Sequence, residues 1–64
     1  MKRAELLKYL KENGCEPTLE GANHTHIKNS NTGQLSSVPR HDEIKNPTAW
    51  KICKDLNVPK PRFR

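Results

Sequence analysis

The 64-residue sequence has little material for a large core or an enclosed site. Aromatic residues make up 5% of it and apolar residues 31%. A chain of this length buries only about 60% of the surface that its unfolded form exposes. We therefore expect one small domain of marginal stability, supported by a partner, with any active site on the surface and acting on a large substrate.

Long hydrophobic runs are also lacking. No segment approaches the roughly 20 apolar residues that span a membrane, and the start, Met1 to Glu5, does not lead into the apolar stretch of a signal peptide. The sequence predicts a cytoplasmic protein without a membrane partner. Its two cysteines, Cys15 and Cys53, are then expected to be reduced and to pack in the core.

Motifs for metals, phosphates and common nucleophiles are missing as well. The candidate metal ligands do not have a standard zinc spacing; they are Cys15, His24, His26, His41 and Cys53. Asp42 and Glu43 are the only adjacent carboxylates, which makes a poor two-metal site. With no glycine-rich phosphate loop and no nucleophile elbow, we predict that the protein binds no metal and no other cofactor.

Positive charge is what the chain has in excess. Twelve Lys and Arg residues face seven Asp and Glu, which gives a net charge of +5 and an isoelectric point near 9.6. This excess favours a nucleic acid as partner, with an acidic protein as the alternative. The residues that could follow a phosphate backbone are Lys28, Arg40, Lys45, Lys51, Lys54, Lys60, Arg62 and Arg64.

Two segments have helical patterns. Residues 2–13 place Leu6, Leu7 and Leu10 on one face, and Asn13-Gly14 is a typical helix end. The second helix is predicted to start with Asn46 as N-cap and Pro47 as first residue, and to end at Asn57. Its apolar stripe consists of Ala49, Ile52, Cys53 and Leu56. Trp50 lies off this stripe, where it either covers the sheet or is exposed for a partner.

Three segments between the helices favour strands. Residues 15–20 form a weak candidate, which Pro17 confines to a sheet edge. In residues 24–28, polar side chains alternate with Thr25 and Ile27, as expected for a strand with one buried face. Residues 29–33 have the composition of a hairpin turn. In residues 34–39, Leu35 and Val38 differ in parity, so the strand contains a bulge or one of the two faces outward.

The order α-β-β-β-α predicts an α+β domain with two helices on one face of a three-stranded antiparallel sheet. The domain would span residues 1–58, followed by a flexible basic tail over residues 59–64. Alternation along the second strand puts Thr25 and Ile27 on the core face and His24, His26 and Lys28 on the open face.

The two histidines on the open face of the second strand, His24 and His26, suggest RNA cleavage. Attack by a 2′-hydroxyl on the neighbouring phosphate needs a proton acceptor and a proton donor near neutral pH, and histidine suits both roles. The alternative is that His24 and His26 are ordinary solvated side chains. Position alone does not separate the two interpretations.

Two motifs resemble the HicA family of mRNA interferase toxins. Gly21-Ala22-Asn23-His24 is similar to the family's G-x-x-H motif, and Val38 to Lys45 resembles its V-P-R-H-x-E-I-K block. The segment from Ile52 to Leu56 is similar to its I-x-K-x-L helix end. The resemblance extends over residues 1 to about 58.

The resemblance implies a double-stranded-RNA-binding-like fold and a metal-independent ribonuclease. It implies that His24 is the catalytic residue and that a HicB-like antitoxin covers the active site. His26 is a candidate for assisting His24, whereas Lys28, Arg40, His41 and Lys45 are predicted to bind RNA. The sequence departs from many relatives at Pro17, His26 and Ile27, and in the tail.

The function predicted from all these features is that of a type II toxin that cleaves mRNA. The main alternative is a non-catalytic RNA-binding module of the same fold. A third interpretation is a module that binds DNA or an acidic protein.

Overall fold

The computed structural model describes residues 1–61, so residues 62–64 of the predicted tail lie outside it. Five elements follow one another, with bounds close to those predicted. They are α1 (Arg3–Glu12), β1 (Cys15–Glu20), β2 (His24–Asn29), β3 (Leu35–Pro39) and α2 (Asn46–Asp55). The predicted α-β-β-β-α order and α+β class are confirmed.

The sheet is antiparallel, with β2 in the centre and β1 and β3 at its edges. Burial alternates strictly along β2, with Thr25, Ile27 and Asn29 buried. His24, His26 and Lys28 are exposed, as predicted. These three residues mark the open face of the sheet.

The core lies between the other sheet face and the two helices. Leu6 and Leu10 of α1 pack in one cluster with Ile27, Val38 and the predicted α2 stripe, Ala49, Ile52, Cys53 and Leu56. Both cysteines are free thiols in this core, as predicted for the described chain.

Burial raises the pKa of both thiols, Cys15 and Cys53. For Cys53, the neighbouring Cys15 raises the pKa further. Both thiols are therefore neutral and poor nucleophiles at physiological pH.

In both edge strands, β1 and β3, one leucine departs from simple alternation of buried and exposed side chains. A bulge between Pro17 and Leu19 shifts the register of β1, so Leu19 pairs with His26 and is exposed, although it shares parity with Cys15. In β3 the register with β2 is regular, and Leu35 faces outward while Val38 is fully buried. Of the two alternatives for β3, the outward-facing leucine is the one observed.

Both helices end at their predicted stop signals, while α1 is one residue shorter at each end than predicted and the cap of α2 differs. Gly14 follows α1 with φ +82°, and Asn57 follows α2 with φ 55°. The N-cap of α2 is Lys45 and not Asn46, and no side chain caps the helix. The predicted Asn46 cap is wrong by one residue, because Asn46 is already helical and Pro47 still fits within the first turn.

The connection between β3 and α2 is fixed by the first residues of the chain. The Arg3 amide donates to the Asp42 carbonyl at 2.8 Å, and the Ile44 amide donates to the Met1 carbonyl at 2.7 Å. Between them Lys2 and Glu43 form an isolated antiparallel bridge. This segment carries part of the predicted RNA-binding set, so its position is set by pairing rather than left to a free loop.

The described part of the basic tail contacts both helices. The Tyr9 hydroxyl donates to the Pro59 carbonyl at 2.6 Å, and the Lys60 ammonium lies 3.8 Å from the centre of the Trp50 ring. Trp50 is half-buried under this lysine. In residues 1–61, no helix has the length and apolar character needed to cross a membrane.

Candidate RNA-cleavage site

His24 is the first residue of β2 and follows a tight turn that starts at Gly21. The Gly21 amide donates to the His24 carbonyl at 2.7 Å, which closes the turn. A Cβ atom at Gly21 would lie 3.0 Å from that same carbonyl oxygen, closer than ordinary contacts allow. Glycine at this position is thus explained by the close approach of the two backbone segments.

A shallow pocket of about 380 Å³ opens next to His24. It is lined by Ala22, Asn23, His24, Arg40 and His41, and we call it the histidine pocket. The turn before β2 supplies Ala22 and Asn23, the first position of β2 supplies His24, and the segment after β3 supplies the other two residues. These segments meet because His24 pairs with Pro39 in the sheet, directly before Arg40.

Arg40 is held to the turn by both its backbone and its side chain. Its amide donates to the Asn23 carbonyl at 3.1 Å. Its guanidinium donates to the Glu20 carboxylate at 2.6 Å and to the Gly21 carbonyl at 3.5 Å. The cation is therefore fixed along the turn that precedes His24.

Three residues of this region were not predicted as part of the site. The Glu20 carboxylate accepts from the Thr25 hydroxyl at 3.1 and 3.2 Å, and Thr25 in turn accepts from the Arg3 guanidinium. The sequence predicted Thr25 on the core face, Arg3 in the first helix and Glu20 in the first strand, but none of the three in the site. For Glu20, the available signal was that it directly precedes the G-x-x-H motif. For Arg3 there was no signal, because its hydrogen bond to Thr25 of β2 depends on tertiary contacts.

The remaining predicted RNA-binding residues are spread around this pocket. Lys45 lines a neighbouring pocket of about 460 Å³ that shares His41 with the histidine pocket. Lys28 lies on the open face four positions along β2, or about 13 Å from His24 at the usual strand rise. The fold thus brings Arg40 and His41 to His24, places Lys45 next to them, and leaves Lys28 at the far end of β2.

His26 lies in different surroundings from His24. It lines an apolar groove of about 250 Å³ with Thr18, Leu19, Leu35 and Ser36. Leu19 and Leu35 are 65% and 66% exposed, which makes them the large apolar side chains on the described surface. The His26 Nε2 atom lies 3.5 Å from the position of a Cβ at Gly21, so its ring reaches toward the turn before His24.

Metal ligation has no obvious place in the described chain. Within residues 1–61, no three His, Cys, Asp or Glu side chains are grouped so that they could hold a metal ion. What the site offers is an exposed imidazole, a second imidazole and a fixed guanidinium around one shallow pocket. This set can exchange protons and bind a phosphate.

Comparison with known proteins gives one family. The family model described as the HicA toxin of bacterial toxin–antitoxin systems matches residues 3–58. No curated protein and no solved structure gives a significant match. The matched range includes both helices, the whole sheet and every residue of the histidine pocket.

Proposed function

Because the chain belongs to the HicA toxin family of bacterial toxin–antitoxin systems, we propose that it is a metal-independent endoribonuclease that cleaves mRNA in the cytoplasm. The family membership supplies the toxin role. The observation that carries the catalytic proposal is the histidine pocket, in which His24 is exposed on a central strand next to Arg40 and His41.

The proposed reaction is attack of a ribose 2′-hydroxyl on the adjacent phosphorus. The O2′–P bond forms and the P–O5′ bond breaks, which leaves a 2′,3′-cyclic phosphate and a 5′-hydroxyl. One proton leaves O2′ and one reaches O5′. His24 acts as general base or general acid for one of these transfers. The complementary transfer uses solvent or an assisting histidine, for which His26 is the candidate.

Cations around the pocket have the second role in this proposal. Arg40 and His41 contact the reacting phosphate and offset the charge that develops on it. Lys45, in the neighbouring pocket, and Lys28, farther along the open face, bind the backbone on either side. Each phosphate neutralised in this way releases condensed counterions and strengthens RNA binding at low salt.

The test is induced expression of the wild type, His24→Ala and His26→Ala, with growth and transcript integrity as readouts. We expect the wild type to stop growth and fragment transcripts, and His24→Ala to do neither. His26→Ala tests the complementary transfer, because it removes a second imidazole from the same face of the same strand. Fragmentation by His26→Ala at the wild-type level would assign that transfer to solvent. Fragmentation by His24→Ala at the wild-type level would contradict the catalytic assignment.

Purified protein separates this proposal from a non-catalytic RNA-binding module. Products of cleavage should carry 2′,3′-cyclic phosphate and 5′-hydroxyl ends. Tight RNA binding without any cleavage by the wild type would favour the binding module instead.

We also propose that a HicB-like antitoxin inhibits the toxin by lying over His24. The pocket is shallow and open, and the described chain has no segment across it. The net charge of +5 would speed association with an acidic partner. In the purified complex, we expect the NMR signals of the His24 ring to shift and the ring to resist chemical modification. A complex in which His24 stays fully reactive would instead indicate that the antitoxin blocks only the RNA path.

A further inference from the structure

The Glu20 carboxylate lies at the centre of a hydrogen-bonded chain next to the histidine pocket. On one side it accepts from the Arg40 guanidinium at 2.6 Å. On the other it accepts from the Thr25 hydroxyl at 3.1 and 3.2 Å. Glu20 and Thr25 are also partners in the β1–β2 register, so the backbone already places them together.

This chain is anchored in the interior of the protein. Thr25 is 1% exposed, and its hydroxyl accepts from Arg3 of α1. The Arg3 guanidinium also donates to the Pro39 carbonyl at 3.1 Å. Because Pro39 pairs with His24, the anchor of the chain and the strand position of His24 are fixed by the same contacts.

We propose that Glu20 is a positioning residue, which holds the Arg40 guanidinium beside His24 and competes with the RNA phosphate for it. The inference rests on the proposed function, in which Arg40 contacts the reacting phosphate. Two donors of Arg40 are used by Glu20 and Gly21 within the described chain. A guanidinium has further N–H groups, so it can bind a phosphate while its orientation is still set by Glu20.

The exposure of the pair determines how strongly it can act. The side chains of Arg40 and Glu20 are 48% and 54% exposed, and ion pairs in such positions change equilibria by only about two- to fivefold. A phosphate can therefore take over part of the interaction. The negative charge of Glu20 opposes RNA binding. Its hydrogen bond to Arg40, however, keeps the guanidinium oriented toward the reacting phosphate.

These opposing effects predict a separation of KM from kcat. In Glu20→Gln, we expect RNA to bind about two- to fivefold more tightly, because a carboxylate is removed and Arg40 is freed. We expect kcat to fall by about the same factor or more, because Arg40 is no longer oriented. A purely structural role would lower kcat and weaken RNA binding together.

Glu16→Gln is the matched control. Glu16 is an exposed glutamate on the same strand, and it pairs in register with Lys28 at the other end of the sheet. The Glu16→Gln substitution removes one negative charge, as Glu20→Gln does. It therefore measures how much RNA affinity rises from the change in net charge alone. We expect its kcat to equal that of the wild type. An equal fall of kcat in both variants would overturn the proposal.

Arg40 itself gives a readout that does not depend on cleavage. In nitrogen-15 NMR spectra, rotation of its guanidinium should be slow in the wild type and in Glu16→Gln, and fast in Glu20→Gln. Unchanged rotation in Glu20→Gln would overturn the inference while the wild type still cleaves RNA. Failure of the wild type to cleave would instead overturn the proposed function. If Glu20→Gln does not fold, Glu20→Asp replaces it, because the shorter side chain keeps the negative charge but withdraws the carboxylate from Arg40. It should lower kcat without tightening RNA binding, and a wild-type kcat would overturn the inference.

Discussion

His24 and His26 project from the same face of the same strand, yet the fold gives them different neighbours. His24 lies in a polar pocket with Arg40 and His41. His26 lies in an apolar groove between two exposed leucines, Leu19 and Leu35. Alternation along the strand does not distinguish the two histidines, so their different surroundings come from what the neighbouring strands and turns bring beside each.

The largest expected effect separates the two imidazoles directly. In purified protein, His24→Ala should lower the rate of RNA cleavage about 1,000-fold, because it removes a general acid–base group. His26→Ala should lower it less than about threefold, because solvent can replace an assisting histidine in the complementary transfer. Both side chains are exposed, so circular dichroism should show an unchanged fold for both variants. Equal losses in the two variants would mean that the histidines act as a pair.

The next effect tests whether the Arg40 guanidinium explains why the pocket of His24, and not the groove of His26, supports cleavage. Arg40→Ala should lower cleavage about tenfold to a hundredfold, because a charge that faces the reacting phosphate is lost. It should also reduce the salt dependence of RNA binding by about 0.7 in the logarithmic slope, as expected for one contact to single-stranded RNA. Titration of RNA affinity against salt measures this slope. A variant with the wild-type slope would show that Arg40 does not reach a phosphate.

Two glycines at opposite ends of the sheet give a smaller, more selective effect. Gly21→Ala should slow cleavage about fivefold, because the new Cβ lies 3.0 Å from the His24 carbonyl and displaces the strand start. Gly33→Ala meets open space but has φ +77°, so it should lower the free energy of unfolding by about 1 kcal/mol.

Kinetic assays and urea unfolding on both glycine variants distinguish rate from stability. We expect Gly33→Ala to keep the wild-type cleavage rate at temperatures where it is folded. A loss of cleavage in Gly33→Ala that matches Gly21→Ala would mean that general destabilisation, and not the position of His24, explains the first result.

The smallest expected effect is that of a chelator. Cleavage should continue unchanged in EDTA, because the proposed proton transfers at His24 use no metal ion. The control is addition of zinc to the chelated protein. Loss of activity in EDTA with recovery in zinc would replace the histidine mechanism with metal-assisted hydrolysis.

Much of the fold could be predicted because its signals are local. The apolar stripe of α2, the alternation of β2 and the glycine after α1 each depend on a few neighbouring residues. The start of α2 was misplaced because Pro47 is tolerated at either of the first two helical positions. The orientation of Leu19 was also beyond local reasoning, since the bulge after Pro17 depends on pairing with β2.

The sequence by itself determined the order of the elements, the face on which His24 lies, and, through its two motifs, the resemblance to a toxin family that the family match then confirmed. These properties follow from periodicity and from residue types at fixed spacing. Only the tertiary structure decided that Arg40 and His41, but not Lys28, lie beside His24. It alone joined Arg3, Thr25 and Glu20 into one chain of hydrogen bonds. Such contacts form when strand pairing and helix packing bring distant segments together, and no local pattern encodes them.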